Sequence, residues 1–152
     1  MIKPRLKLLA ISSGGGHWVQ MLRLRPALVG CDVIFSTVSE SYRSEIGDAP
    51  FRTVHDATQW EKFSLFRSAF SVFLLVYKER PDVIISTGSA PGFFAIFFGK
   101  CFGARTIWLD SLANAEVLSL SGRLAKPFAD LWLTQWPHLA SMNGPEFKGN
   151  VL

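Results

Sequence analysis

Six consecutive residues, Ser12-Ser13-Gly14-Gly15-Gly16-His17, bring hydroxyls, three glycines and an imidazole into one turn. Glycines between a strand and a helix let backbone N–H groups and the helix N-terminus approach an anion or a sugar closely, so Ser13, Gly14, Gly15 and Gly16 are candidate ligand contacts. His17 stands at the carboxyl end of a strand and the start of a helix, where an imidazole is placed to act as a general base. The same glycines also suit a tight turn that holds no ligand, and the same histidine suits a helix cap. A dinucleotide fingerprint does not fit, because Val19 occupies the position of the third glycine; the Gly-Lys-Ser/Thr of a Walker loop is absent. His55 and His138 have no metal-ligand spacing and read as surface or structural groups.

A second group of residues points toward lipid. Phe63, Phe66, Phe70, Phe73, Leu74 and Tyr77 recur at helical spacing, and Lys62, Arg67, Ser68, Ser71 and Lys78 share the remaining surface with Leu65, Val72, Leu75 and Val76. A helix with this stripe either packs on a sheet or lies in a membrane interface, and it is too short to span a hydrocarbon core of about 30 Å. Phe93, Phe94 and Phe97 belong to another strongly apolar segment, after the small-residue stretch Ser86-Thr87-Gly88-Ser89-Ala90. An opening of that kind suits a lipid tail, and an all-round apolar helix equally suits burial.

The elements that must position these groups are legible as apolar runs. Strands are expected at Leu6–Ser12, Asp32–Thr37, Asp82–Thr87, Arg105–Leu109 and Asp130–Thr134, with a short further one at Phe51–Val54. Helices are expected at His17–Val29, Trp60–Lys78, Pro91–Phe102 and about Ser121–Phe128. Ser36–Ser44 reads as a loop and Asn143–Asn150 as a loosely held tail. Strands that are apolar without alternation, such as Val83-Ile84-Ile85, belong to parallel sheets covered on both faces. The expected fold is one α/β Rossmann-like domain over residues 1–152, a parallel sheet with helices on both faces.

Composition sets the outer bounds. The chain has 152 residues, 49% hydrophobic and 18% charged, which excludes intrinsic disorder and a disulfide scaffold. Cys31 and Cys101 lie 70 positions apart without metal or redox spacing and are expected as two buried free thiols. A net charge of +4 tilts the surface toward anionic partners, but the basic residues are scattered and the aromatics lie in apolar helices, so nucleic acid is not the expected partner. The amino terminus reads as a first strand rather than a signal peptide, and no run reaches the ~20 apolar residues of a spanning helix.

Taken together, Gly14–His17, Ser86–Gly92 and the stretch from Trp108 to Pro137, above all Leu118-Ser-Leu-Ser-Gly-Arg123, Ala129-Asp130 and Gln135-Trp136-Pro137, carry a family resemblance. The chain resembles the PssD family of polysaccharide-biosynthesis glycosyltransferase subunits. It is similar also to their eukaryotic relatives, the membrane-recruiting subunits of the two-part transferase that adds the second N-acetylglucosamine to a dolichol-diphosphate sugar. It departs from the eukaryotic pattern in carrying Gln20 where Glu is frequent, and in showing no amino-terminal membrane helix.

The resemblance implies the acceptor-binding, amino-terminal half of an inverting GT-B glycosyltransferase. A second subunit would carry the donor-binding half and hold the UDP-sugar, and the acceptor would be a polyprenyl-diphosphate-linked sugar. It implies His17 as base, with Asp110 and Glu116 as competing carboxylates, and Gly88, Ser89, Gly92 and Arg123 near the acceptor diphosphate or the partner. Phe63, Phe66, Phe70, Phe73, Phe93, Phe94 and Phe97 would contact the membrane, and Trp132, Gln135, Trp136 and Pro137 the partner subunit. No Asp-x-Asp pair is present to chelate a nucleotide diphosphate, so neither metal nor cofactor is expected, and the location implied is peripheral on the inner face of the cytoplasmic membrane. Two other readings stay open: an independent Rossmann enzyme with a nucleotide cofactor, and a non-catalytic adaptor that recruits the catalytic partner.

Overall fold

Apolar side chains leave β1 (Lys7–Ile11) alternately on its two sides, Leu8 and Ala10 toward one layer and Leu9 and Ile11 toward the other. Both layers are filled, which makes the strand a central one. The computed structural model describes residues 2–58 and 61–152, and in them β1 is an interior strand, beside the middle one, of a seven-stranded sheet in the order β3-β2-β1-β4-β5-β6-β7. The other strands are β2 (Asp32–Thr37), β3 (Phe51–Thr53), β4 (Val83–Ser86), β5 (Arg105–Leu109), β6 (Leu131–Thr134) and β7 (Glu146–Phe147), and every neighbouring pair is parallel. The register sets Ile11 beside both Ser36 and Ser86, so the strands end together along one edge.

Four helices cover the sheet: α1 (Gly16–Arg23), α2 (Lys62–Glu79), α3 (Ser89–Cys101) and α4 (Leu120–Ala125). Against one face, Val72, Leu75 and Val76 of α2 and Ala95 and Ile96 of α3 pack on Leu9, Ile11, Ile34, Ile84 and Trp108. Against the other, Trp18 and Met21 of α1 pack on Leu8, Ala10, Phe35 and Ile85. Each fully buried large side chain contributes about 1.5–3 kcal/mol. At the far end of α2, the buried carboxylate of Glu79 meets Lys7 Nζ at 3.1 Å and Arg52 Nε at 3.0 Å, tying the helix to β1 and β3. Burial pushes this carboxyl up, but the hydrogen bonds and charges of Lys7 and Arg52 outweigh it and hold it below its ordinary value.

Several expectations are corrected. The helix expected over His17–Val29 stops at Arg23, because Pro26 cannot continue an α-helix, and Arg25–Leu28 forms a 3₁₀ turn instead. The Ser121–Phe128 helix likewise gives way to a 3₁₀ turn over Lys126–Phe128, which contains Pro127. In the helix expected from Trp60, that first residue lies outside the described residues. The stretch Asn143–Asn150 contains β7, and the Ser36–Ser44 loop holds the end of β2 and part of a 3₁₀ segment over Glu40–Ile46. Cys31 is half-buried and Cys101 exposed, so the two thiols are free but not both internal.

The aromatic stripe of α2 faces outward. Ser68, Val72, Leu75 and Val76 form its buried side, while Phe63 and Phe66 are each 68% exposed and Phe70 is 54% exposed. Phe73, Phe93, Phe94 and Phe97 are half-buried, with Phe73 against Phe98 and Phe97 against Phe128. No helix among the described residues is long and apolar enough to cross a membrane.

Candidate active-site cleft

The carboxyl ends of the strands open into a cleft of about 770 Å³. Its polar wall is His17, Ser89, Ser111, Asn114, Ser119 and Ser121, and its apolar wall is Ala57, Leu65, Phe93, Phe94, Leu120 and Leu124, with Ala90 and Ala113 completing the lining. No Asp, Glu, Lys or Arg is among them. A chain with one polar and one hydrocarbon end matches both walls at once. A second, more open groove of about 660 Å³ beside Arg25, Asp32 and Glu79 lies along the edge of β2 and holds none of the motif residues.

His17 sits in a seat made by the turn after β4. Its Nδ1 lies 3.0 Å from the carbonyl oxygen of Thr87, and the Thr87 hydroxyl donates to the carbonyl of His17 at 2.7 Å. A carbonyl only accepts, so Nδ1 carries the hydrogen in the neutral ring and Nε2 is left with its lone pair. Gly88 makes the seat possible: its φ is 135°, and a Cβ built there would stand 2.5 Å from His17 Nδ1. Ser89 begins α3 at a φ of 72°, an uncommon value for a residue with a side chain, and lines the cleft.

The glycine turn flanks the cleft without lining it. Ser13 is buried, Gly14 half-buried, and Gly15 and Gly16 are exposed. The Gly15 N–H donates to the Tyr42 hydroxyl at 3.0 Å, a tie across 27 positions that local sequence does not announce. Gly92 is corrected: a Cβ there would meet Ser86 Oγ at 2.0 Å, so its small size serves the packing of α3 on β4 and not a ligand. Arg123 is exposed on α4 and Glu116 exposed in the preceding loop, and neither lines the cleft.

Asp110 is corrected as well. It is 1% exposed, and its carboxylate accepts from Trp108 Nε1 at 3.1 Å, from Ser119 N at 2.9 Å and from Ser119 Oγ at 2.5 Å. Its oxygens are spent on closing the 111–119 loop over the end of β5, which removes it as a base.

That loop forms one wall of the cleft and is gripped from two directions. From α1, Gln20 Oε1 accepts from Leu112 N at 3.0 Å, and Gln20 Nε2 donates to Ser111 Oγ at 3.0 Å. From the segment after β6, Gln135 Nε2 donates to Gln20 Oε1 at 2.6 Å and to the Asp110 carbonyl at 3.0 Å, while Gln135 Oε1 accepts from Val151 N at 2.9 Å. Trp136 Nε1 donates to the Leu112 carbonyl at 2.8 Å, and His138 Nε2 to that of Ala115 at 2.5 Å. Gln135, 1% exposed, is therefore an internal clamp and not a docking residue; Trp132 is half-buried, donating to the Gly122 carbonyl at 2.8 Å, and Pro137 is exposed.

The backbone arrangement is a Rossmann-like fold of the GT-B type. It superposes on MurG of Acinetobacter baumannii with a TM-score of 0.77 at 13% identity, covering 97% of this chain and 45% of that one. It superposes on the UDP-GlcNAc 2-epimerase of Neisseria meningitidis, solved with UDP-GlcNAc, with a TM-score of 0.70 at 10% identity, covering 96% and 47%. The chain thus spans just under half of these solved structures. In sequence, it is 30% identical to the UDP-N-acetylglucosamine transferase subunit alg14 of Schizosaccharomyces pombe, covering 91% of this chain and 80% of the relative. It is 26% identical to the mouse subunit of the same name, with the same shares covered. The model of the family described as oligosaccharide biosynthesis protein Alg14 like matches residues 44–151, which span the outer aromatic ridge, the seat of His17 and the clamped loop. By that match, and by relatives aligned over nine-tenths of its length, the chain belongs to the Alg14-like family of oligosaccharide biosynthesis proteins.

Proposed function

We propose that this chain is the acceptor-binding, membrane-associated subunit of a two-component inverting glycosyltransferase. It presents a polyprenyl-diphosphate-linked sugar to a second subunit, which holds a UDP-sugar, UDP-N-acetylglucosamine by analogy with the relatives' names. The observation that carries this reading is the cleft itself, in which His17 with a free Nε2 stands on a neutral polar wall facing a hydrocarbon wall.

In the reaction, the acceptor hydroxyl attacks the anomeric carbon of the donor sugar and passes its proton to His17 Nε2. The bond from that carbon to the diphosphate breaks, UDP leaves with the electron pair, and the configuration inverts. His17 orients and deprotonates the acceptor; the diphosphate leaving group is handled by the partner. The reading assigns no resident cofactor to this chain.

The membrane contact rests on the outer face of α2. Phe63, Phe66 and Phe70 protrude there beside exposed Lys62, Arg67 and Lys78, an apolar ridge with a basic border suited to an anionic bilayer. Leu65 of the same helix lines the cleft, so a prenyl tail has a short way from the bilayer to the hydrocarbon wall. On this reading the protein works peripherally on the inner face of the cytoplasmic membrane.

The test is transfer of labelled sugar from UDP-sugars to a polyprenyl-diphosphate-linked sugar by this chain, by its candidate partner, and by both, with His17→Ala alongside. Transfer by the mixture alone, lost in the variant while the complex still forms, is the expected result. Full activity of the variant identifies a recruiting adaptor, and no transfer by any mixture overturns the reading.

A further inference from the structure

We infer that Ser111 donates its hydroxyl hydrogen to an oxygen at the sugar end of the bound acceptor, and that Gln20 and Gln135 set this polarity. The inference rests on the transferase reading and adds to it the residue that meets the acceptor sugar beside His17.

The assignment follows from groups whose hydrogen-bonding sense is fixed. Val151 N can only donate and the Asp110 carbonyl can only accept, so Oε1 and Nε2 of Gln135 are each identified by a backbone partner. Leu112 N can only donate and the Gly16 carbonyl, 3.3 Å from the other end of the amide, can only accept, which fixes Gln20 in the same way. Gln20 Nε2 is therefore the donor in its 3.0 Å bond to Ser111 Oγ. Ala113 N donates to the same oxygen at 3.2 Å. Both lone pairs of Ser111 are then occupied, and its own hydrogen has no acceptor among the described residues. This hydroxyl is 5% exposed and borders the cleft.

A buried hydroxyl with its hydrogen unspent seeks an oxygen from outside the chain, and in the wall of a cleft a ligand that displaces water supplies it. The position selects which one. Gln20 lies three residues after His17 on α1, so the two side chains are neighbours on one helix face, and Gln20 holds Ser111 directly. The hydroxyl thus shares the polar wall with the base, where the sugar of the acceptor is to be held, with the prenyl tail against the apolar wall beyond. His17 Nε2 accepts and Ser111 Oγ donates, a pair that reads the sugar's hydroxyl pattern from both sides.

The test uses the chain with its donor-binding partner and two probes, farnesyl-diphosphate-linked N-acetylglucosamine and farnesyl diphosphate, with affinities measured by titration calorimetry. Two variants are compared. Ser111→Ala removes the hydroxyl. Gln20→Glu keeps the size and the bonds from Leu112 and Gln135, gives up the 3.3 Å bond to the Gly16 carbonyl, and turns the end facing Ser111 into an acceptor, which draws the serine hydrogen inward. Each variant is expected to lose about tenfold in affinity for the sugar-bearing probe, the weight of one hydrogen bond, with the sugar-free probe unaffected. A merely structural role for Ser111 predicts no loss in Gln20→Glu, and a purely electrostatic effect of the new carboxylate predicts equal loss for both probes. Sugar discrimination unchanged in both variants, or equal loss for both probes, overturns the inference while transfer by the wild-type mixture still upholds the transferase reading. Failure of the wild-type complex to bind either probe overturns both.

Discussion

The carbonyl oxygen of Thr87 stands 3.0 Å from Nδ1 of His17, and this contact decides which ring nitrogen keeps the hydrogen and which faces the cleft with a lone pair. The two residues are 70 positions apart, joined by the central pair β1 and β4. Replacing His17 by Ala removes the lone pair and is expected to lower kcat by about 10²–10⁴-fold while complex formation with the partner subunit persists. Steady-state kinetics alongside co-purification checks both halves of this expectation.

Gly88→Ala tests the seat rather than the ring. The added methyl would stand 2.5 Å from His17 Nδ1, on a backbone whose φ of 135° resists any side chain. His17 must move, so transfer is expected to fall nearly as far as in His17→Ala. The backbone strain costs about 1–3 kcal/mol, which thermal unfolding resolves from the catalytic loss.

Gln135→Leu leaves Val151 N, the Asp110 carbonyl and one bond to Gln20 without their partner in a buried place. The expected destabilisation is about 1–3 kcal/mol per stranded group, a drop of several degrees in Tm. Hydrogen exchange at Leu112 and Ala113 is expected to quicken more than exchange in β1, because the loop loosens before the sheet does.

Phe66→Ser with Phe70→Ser removes the outer ridge without entering the core. Stability is expected to stay within about 0.5 kcal/mol per site, as for other surface positions. Flotation with anionic vesicles is expected to drop sharply, and retention of full vesicle binding would refute the membrane contact of α2.

Glu79 predicts the acid behaviour of the fold. Its carboxyl is held below the ordinary value, so its stabilising contribution is complete above the unfolded-chain value of about 4.3 and is lost as pH falls through the lower folded value. Asp130 acts in the same sense, lowered first by its hydrogen bond from Lys100 and further by those from Thr106. The Tm is expected to fall as pH drops below about 4.3, and less steeply in Glu79→Gln than in the wild-type chain.

Much of the scaffold was legible because parallel strands buried on both faces are written as unbroken apolar runs; β2 and β5 fall on the residues their composition indicates. The tight turn that sets His17 at the end of β1 was legible for a related reason, since glycines between a strand and a helix mark such a turn, but that the glycines stand beside the cleft and not in its lining was not. The spacing of the α2 stripe leaves it open between core and interface; the resemblance puts it outward, where Phe63, Phe66 and Phe70 stand, with Ser68 and Val72 on the buried side. Not legible were the roles of Asp110, Ser111 and Gln135, which are set by bonds between positions 20, 111, 135 and 151 that no local window contains. Tyr42, which caps the glycine turn, is hidden in the same way.

The strand order also fixes a sequence of events during synthesis. β1 emerges first and lies inside the sheet; β2 and β3 extend it to one side, and β4 to β7 then extend it to the other. The bond from Val151 to Gln135 is available only after all of these have been made, and it belongs to the clamp on the 111–119 loop. A chain still on the ribosome can hold its complete central sheet while that wall of the cleft remains unlatched. Closure of that wall thus depends on a contact from beyond the last strand of the sheet, and not on the sheet itself.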